Sequence, residues 1–289
     1  MNAFKTVGIV GKYAAPTVSK ALCDLGRYLR GKTVTVLLDQ ETAKVWPNHG
    51  FEIASREVMA KRCELVIVVG GDGTFLGVAR SLGALGDIAM VGLNLGRLGF
   101  LTDISPNETH EKLDEIFAGH FQQEDRFMLQ CRVLRGDEVL SVNCAFNDVV
   151  VHKRDVARML EMDTRIDGTF IATMNADGLI VSTPTGSTAY ALSGGGPLME
   201  PEINAVVLVP ICPHTLSNRP IVVCADSMIE IVVKGEESHH AQLSCDGQES
   251  QRLQGADRIQ ISKHSSTIRL IHPMEHNHFH ILRAKMGWG

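Results

Sequence analysis

One carboxylate set among glycines is the group in this sequence best suited to chemistry: Gly70-Gly71-Asp72-Gly73-Thr74. Glycines let backbone N–H groups approach an oxyanion closely, and a helix starting at such a turn adds partial positive charge. A carboxylate in a plain anion site would repel a phosphate. It fits a group that takes a proton from a hydroxyl nucleophile, or one that helps hold a divalent cation against phosphates. Gly70, Gly71, Gly73 and Thr74 are therefore candidate phosphate-binding residues, and Asp72 is the candidate catalytic residue. The bland alternative is a tight strand-to-helix turn capped by Asp72.

The elements that must position this turn follow from pattern. Leu65 to Val69 is apolar and mostly β-branched, too short for a helix, and reads as a buried strand, with a helix expected over Thr74 to Leu82. Further strands are expected over Thr6–Val10, Thr33–Leu38 and Ile88–Leu93, and helices over Thr17–Leu29, Ile53–Arg62 and Pro106–Gly119, the last capped by Thr109. Strands alternating with helices imply crossovers and a parallel sheet. Ligands in such sheets lie beyond the carboxyl ends of the strands, where Gly70–Gly73 and Asn94–Gly99 both fall. Past Arg126 short β-rich runs dominate: Leu129–Leu134, Val139–Val151, Leu160–Ile166, Phe170–Met174, Leu179–Val181, Ala205–Leu208, Met228–Val233 and Ile259–Ile261. Turn pairs such as Asp167-Gly168 and Asp246-Gly247 separate several of them. The expected fold class is α/β: a Rossmann-like parallel-sheet domain over 1–125 and a β-rich domain over 126–271.

Composition narrows the class of function. A chain of 289 residues with 44% hydrophobic content can bury one large or two modest cores. A net charge of −5 gives no reason to expect nucleic acid or an anionic membrane as partner. Seven scattered cysteines without a Cys-x-x-Cys pair fit free thiols in a reducing cytoplasm. The first residues lack a signal peptide's basic start and apolar stretch, and no apolar run reaches the roughly 18 residues of a membrane span. A cytoplasmic protein is expected.

Four other motifs invite a functional reading and do not sustain one. Gly26 to Thr33 matches the P-loop pattern, but a helix precedes it and a strand follows, the reverse of what phosphate binding needs. The first strand ends without the dehydrogenase glycine fingerprint, which leaves Asp39 at the end of the second strand without its usual meaning. His276, His278 and His280 would share one face of an extended segment. No cysteine, and no carboxylate apart from Glu275, completes a metal site there, so a structural or surface role is expected. Gly194-Gly195-Gly196-Pro197 lacks a preceding buried strand, and Pro197 removes a donor.

Several segments taken together are more specific. They are Gly70-Gly71-Asp72-Gly73, Asn94 to Leu101, Asn147-Asp148-Val149-Val150, the long Asp177 to Pro197 stretch rich in glycine and hydroxyl residues, and Pro213 to Pro220. Across nearly the whole chain the sequence resembles the bacterial NAD kinases. The Gly-Gly-Asp-Gly turn occurs also in diacylglycerol, sphingosine and phosphofructokinases, whereas the stretch from Asp177 to Pro197 is specific.

The resemblance implies transfer of the γ-phosphoryl of ATP to the 2′-hydroxyl of the adenosine ribose of NAD, giving NADP and ADP. It implies a divalent cation, normally Mg²⁺, and a homo-oligomer, dimer or tetramer. It also implies that 272–289 returns to pack on the first domain. Residue by residue, Asp72 becomes the base and Gly73 lies beside the nucleotide. Asn147 would bond the adenine and Asp148 the ribose hydroxyls. Arg158, Asn175 and Asp177 would line the cofactor site with Thr188, Ala189, Tyr190, Ala191, Leu192, Ser193 and Gln248. Asn147 and Asp148 sit within apolar Val142–Val151, where an unpartnered polar pair is costly. Arg158 could instead be a surface cation, Tyr190 a core aromatic and Asp177 a turn cap. The family usually carries glutamate where this chain has Asp148, which shortens the reach by one methylene, and Asn175 occupies a position that bears on the choice between NAD⁺ and NADH. Two rival readings are a lipid or sugar kinase with the same turn, and a non-catalytic NAD-sensing module.

Overall fold

Strands buried on both faces organise the first part of the computed structural model, which describes residues 2–11, 16–154, 159–215, 217–235, 239–255 and 257–288. The chain forms two compact units, Met1–Asp125 with Ser266–Gly289, and Arg126–Ser265. The first holds β1 (Thr6–Gly11), α1 (Pro16–Arg30), β2 (Thr35–Asp39), α2 (Gln40–Val45), β3 (Glu52–Ala54), α3 (Arg56–Arg62), β4 (Leu65–Val69), α4 (Asp72–Gly83), β5 (Ile88–Leu93) and α5 (Thr109–Phe117). Its strands run parallel in the order β5-β4-β1-β2-β3. All five residues of β4 are buried. Leu22, Leu25 and Leu29 of α1 pack with Ile9, Leu65 and Ile67 on one side of the sheet.

This order creates a switch point. From β1 the chain builds outward through β2 and β3, then returns to place β4 on the other side of β1. Connections therefore leave the carboxyl ends of β1 and β4 in opposite directions, the arrangement at which open α/β sheets characteristically form a ligand crevice. Gly11 and Val69 pair across that boundary, and Gly70 follows directly. The sheet thus delivers the glycine turn to the place where open α/β sheets bind ligands.

Two expectations in this unit need correction. The helix expected from Ile53 begins at Arg56 with Ser55 as its cap, because Ile53 lies in a short edge strand and is 52% exposed. Thr109 is the first residue of α5 rather than its cap, and Glu108 takes that position. Asp39 caps α2 by accepting from the Thr42 N–H, and pairs with Arg56. That is a structural task, in keeping with a strand end that lacks the dehydrogenase glycine turn.

The second unit is antiparallel. It contains most of β6 (Gln122–Arg135), then β7 (Glu138–Ala145), β8 (Asp148–Lys153), β9 (Leu160–Ile166), β10 (Thr169–Ala176), β11 (Gly178–Ser182), α6 (Tyr190–Ser193), β12 (Ala205–Ile211), β13 (Ile221–Cys224), β14 (Ile229–Val233), β15 (Ala241–Cys245), β16 (Glu249–Arg252) and the first part of β17 (Asp257–His272). One set pairs in the order β10-β9-β14-β17, the other in the order β13-β12-β11-β8-β15-β16. Val149, Val151, Leu243 and Cys245 of the second set share a core with Met162, Ile231 and Ile259 of the first. The alternate residues Val150, Ile180, Val207 and Val209 face the other way and pack with Ala191 and Met199. Strands buried on both faces explain why β8, β11 and β12 read as continuous apolar runs.

The expected strand over Val139–Val151 is two strands, broken at Phe146-Asn147. The chain ends with Ile268–Leu270 of β17 running parallel to β5, followed by α7 (His278–Met286). His278 and His280 are therefore helical, and the extended histidine face does not form.

Candidate active site

The turn after β4 is built by backbone. Gly71 caps α4, with its carbonyl accepting from the N–H groups of Thr74 and Phe75 at 2.9 and 3.1 Å. A side chain at Gly70 would strike Thr74, whereas one at Gly71 or Gly73 would meet nothing within 4 Å. Space beside the turn is thus open where phosphates were expected.

Asp72 is the first residue of α4 and turns away from the capping role. Its carboxylate accepts from the N–H groups of Phe100 and Leu101 at 2.9 and 3.0 Å and from the Thr102 hydroxyl at 3.2 Å. Those donors come from the loop after β5, which Asn94 shapes: its Oδ1 accepts from the Gly96 N–H at 2.8 Å, and its amide reaches the Thr102 carbonyl at 3.3 Å. Gly99 must lack a side chain, since a Cβ there would sit 2.2 Å from Asp72 Oδ1 and 2.3 Å from the Thr102 hydroxyl. Gly99→Ala is accordingly expected to dislodge the carboxylate. It should lower turnover at least about ten-fold and cost about 1–3 kcal/mol of stability, read by steady-state assay and urea unfolding.

The second unit presents a cavity of about 280 Å³ lined by Asn147, Asp148, Val150, His152, Ala189, Tyr190, Ser244, Asp246 and Gly247. Four of the expected residues, Asn147, Asp148, Ala189 and Tyr190, meet here. Asp246 organises it. Held in the left-handed region (φ 52°), it accepts from three successive N–H groups, of Phe146, Asn147 and Asp148, at 3.0, 2.8 and 3.1 Å. The Asp-Gly pair at 246–247 reads in sequence only as a turn; its polar residue at a left-handed position is the one signal that could have marked it.

Asn147 Oδ1 is buried and has no hydrogen-bond partner among the described residues. A buried acceptor left open in this way calls for a donor from outside the chain. Asp148 is buried beside it, and burial together with the nearby Asp246 charge pushes its carboxyl up to about 7.

From Ser182 at the end of β11 onward, a hydroxyl-rich stretch bonds the backbone that carries Asn147. Thr183 donates to the Phe146 carbonyl at 2.7 Å, and Ser182 donates to the Asn147 carbonyl at 3.2 Å. Ser187 donates to the Pro184 carbonyl at 2.6 Å, and Thr188 to the Thr185 carbonyl at 3.2 Å. Gly186 passes so close to Asn147 that a Cβ would lie 2.2 Å from its carbonyl oxygen. Local backbone bonds therefore use most of these hydroxyls.

The remaining expected residues divide. Ala191 is buried in the core, whereas Ser193 is exposed and Leu192 half-buried. Asn175 is exposed on β10, and its carbonyl accepts from the His214 N–H at 2.9 Å. Asp177 forms a 2.6 Å ion pair with Lys153. Gln248 is exposed in the turn before β16, with its N–H bonded to the Cys245 carbonyl. Arg158 lies outside the described residues.

Known proteins match both parts of the chain. Residues 7–121 match the ATP-NAD kinase N-terminal domain, and residues 146–273 match the ATP-NAD kinase C-terminal domain. The chain is 46% identical over 286 residues to an NAD kinase of Nitrosococcus oceani, covering 99% of this chain and 97% of that protein. It is 46% identical over 289 residues to an NAD kinase of Pseudomonas entomophila, covering 100% and 97%. Among solved structures, yeast NADH kinase complexed with NADH aligns with a TM-score of 0.91 at 27% identity, covering 100% of this chain and 89% of that one. An NAD kinase from Archaeoglobus fulgidus in complex with ATP aligns at 0.74 and 26%, covering 98% and 97%. With both domains matched and relatives of this identity over the full length, the chain belongs to the ATP-NAD kinase family.

Proposed function

We propose that Asp72 receives the proton of the 2′-hydroxyl on the adenosine ribose of NAD as that oxygen attacks the γ-phosphorus of ATP. The new O–P bond forms, the bond between the γ-phosphorus and the β–γ bridging oxygen breaks, and ADP leaves. Family membership makes the chain an ATP-dependent kinase acting on NAD, and neither rival reading is favoured. The observation that carries the placement of NAD is the open, buried Asn147 Oδ1 beside buried Asp148 in one cavity. Asn147 would bind the adenine edge, and Asp148 would accept from ribose hydroxyls. Gly70, Gly71, Gly73 and Thr74 would face the phosphates.

The cation in this reading is Mg²⁺ carried on the phosphates of ATP. Mg²⁺ keeps much of its water and takes one or two carboxylates besides phosphate oxygens. Asp72 fits that demand, because both of its oxygens are fixed by chain donors beside the open glycines. When bound, the ion neutralises charge that builds on the transferring group.

Two coarser readings accompany this one. Exposed Val142, Phe170 and Ile171 on β7 and β10 support a homo-oligomer, and sedimentation at micromolar protein is expected to show a species larger than the 31.5 kDa chain. The scattered cysteines, none of them in a disulfide, support a cytoplasmic setting; no helix among the described residues is long and apolar enough to cross a membrane.

Purified protein with NAD⁺, ATP and Mg²⁺ tests the function, with product detected by a strictly NADP-dependent dehydrogenase. NADP formation is expected. Bound NAD without NADP would favour the sensing module, and no NAD binding would return the lipid and sugar kinases.

A further inference from the structure

Asp103, His272 and His276 converge in the first unit, apart from the glycine turn, and no step above uses them. Asp103 Oδ2 lies 2.8 Å from His272 Nδ1 and 2.7 Å from His276 Nδ1. The two imidazoles stack with centroids 3.7 Å apart. One ligand atom from each residue falls within 4.8 Å of the others. The Asp103 side chain is 8% exposed and that of His272 only 2%. Asp103 Oδ1 is buried and has no hydrogen-bond partner among the described residues.

The geometry points to a site for a divalent transition-metal ion of the zinc class, held by Asp103 Oδ2, His272 Nδ1 and His276 Nδ1. Two imidazoles and one carboxylate suit Zn²⁺ or Co²⁺, whereas Mg²⁺ and Ca²⁺ prefer oxygen throughout. Around a tetrahedral ion with bonds of about 2.0–2.1 Å, neighbouring ligands stand about 3.3 Å apart. Entry of the ion therefore opens the cluster by about half an ångström.

Coordination through Nδ1 requires each ring to carry its proton on Nε2. For His272 that nitrogen lies 3.6 Å from Glu124 Oε2, so a small approach of this carboxylate would give a metal-bound histidine its orienting partner from behind. Buried Asp103 Oδ1 supplies a second oxygen at the same centre. Asp103 and His276 also line a cavity of about 360 Å³ with Glu108, Lys112, Asn277 and His280, which leaves room for a water as fourth ligand. This donor set differs in kind from the lone carboxylate at the phosphate turn.

The site joins two segments that matter to the reaction. His272 ends β17, and His276 sits in the turn before α7. Asp103 follows Thr102, whose hydroxyl bonds Asp72. A bound ion would staple the returning chain end to the loop that holds the carboxylate.

Full-length protein stripped with chelator, then dialysed against Co²⁺ in the presence of millimolar Mg²⁺, provides the test. One equivalent of retained Co²⁺ is expected, with tetrahedral or five-coordinate d–d bands and no thiolate charge-transfer band. Zn²⁺ should displace it and raise the melting temperature. His276→Gln should bind at least about ten-fold more weakly and lose the Zn²⁺-dependent rise, while melting like the native protein in chelator. If that variant fails to fold, the native spectrum decides alone. Retention of no Co²⁺ would overturn the proposal, as would a thiolate band, or binding by folded His276→Gln equal to native.

Discussion

Asp72→Asn is expected to lower NADP formation by about 10²–10⁴, the range that loss of a positioned acid–base group produces. Two effects combine in that figure. The amide has no charge to accept the hydroxyl proton or to face a cation. It also fits its own surroundings poorly. The carboxylate accepts from two backbone N–H groups on one oxygen each and from the Thr102 hydroxyl, so an amide nitrogen would meet a donor wherever it pointed. An unsatisfied donor of this kind costs about 1–3 kcal/mol. The variant should therefore melt earlier than the native protein while binding NAD with little change, because Asn147 and Asp148 are untouched. Calorimetric NAD affinity beside turnover separates the two. A variant that keeps more than about a tenth of native turnover would remove Asp72 from the chemistry.

Asp148→Asn is expected to act on binding and on pH dependence together. The buried carboxyl titrates at about 7 in the folded chain, through burial first and the Asp246 charge second, against 3.8 as its ordinary value. A carboxyl raised on folding binds its proton more tightly in the native state. Its stabilising contribution is complete below the ordinary value and disappears as pH rises through about 7. Across that window the native protein should lose up to about 4 kcal/mol from this group, a slope that Asp148→Asn removes. At pH 8 the variant should be the more stable of the two, and at pH 4 the difference should vanish. Urea unfolding at both values reads this directly; equal slopes in the two proteins would contradict it.

Ligand binding carries the opposite sign. Ribose hydroxyls donate best to an ionised carboxylate, so NAD should bind more tightly as pH rises through about 7 and should release protons near pH 6. Loss of charge-assisted hydrogen bonds worth about 1.5–3 kcal/mol corresponds to a ten- to hundred-fold weaker NAD affinity in Asp148→Asn. Proton release should vanish with it.

Much of the first unit was legible because its strands are buried on both sides. The runs Leu65–Val69 and Ile88–Leu93 match the strands residue for residue, since a doubly covered parallel strand leaves no polar alternation to confuse its ends. The start of α3 was not legible: Ile53 sits at helical spacing from Arg56–Arg62, yet edge pairing with Leu38 places it in β3. The β-rich second unit was legible as a class, while the break of Val139–Val151 at Asn147 depends on Asp246, 98 residues beyond Asp148. Nothing local in the strand announces it.

The site divides along the same line. The glycine turn and the Asn147-Asp148 pair could be picked out because small residues and polar groups inside apolar runs are locally unusual. What holds them in place could not. Asp72 depends on donors 28 to 30 residues later, and Asp103 meets His272 and His276 from about 170 residues away. Sequence spacing set His276, His278 and His280 in an extended row; the fold puts His278 and His280 in α7 and brings His276 together with His272 on one carboxylate.

The most direct test of the central claim is the phosphorus NMR spectrum of a reaction containing protein, NAD⁺, ATP and Mg²⁺. One new phosphomonoester signal coupled to the ribose 2′ proton, growing in step with ADP and absent with Asp72→Asn, is the predicted result. ADP and inorganic phosphate without that signal, or a phosphomonoester on another hydroxyl, would contradict the account.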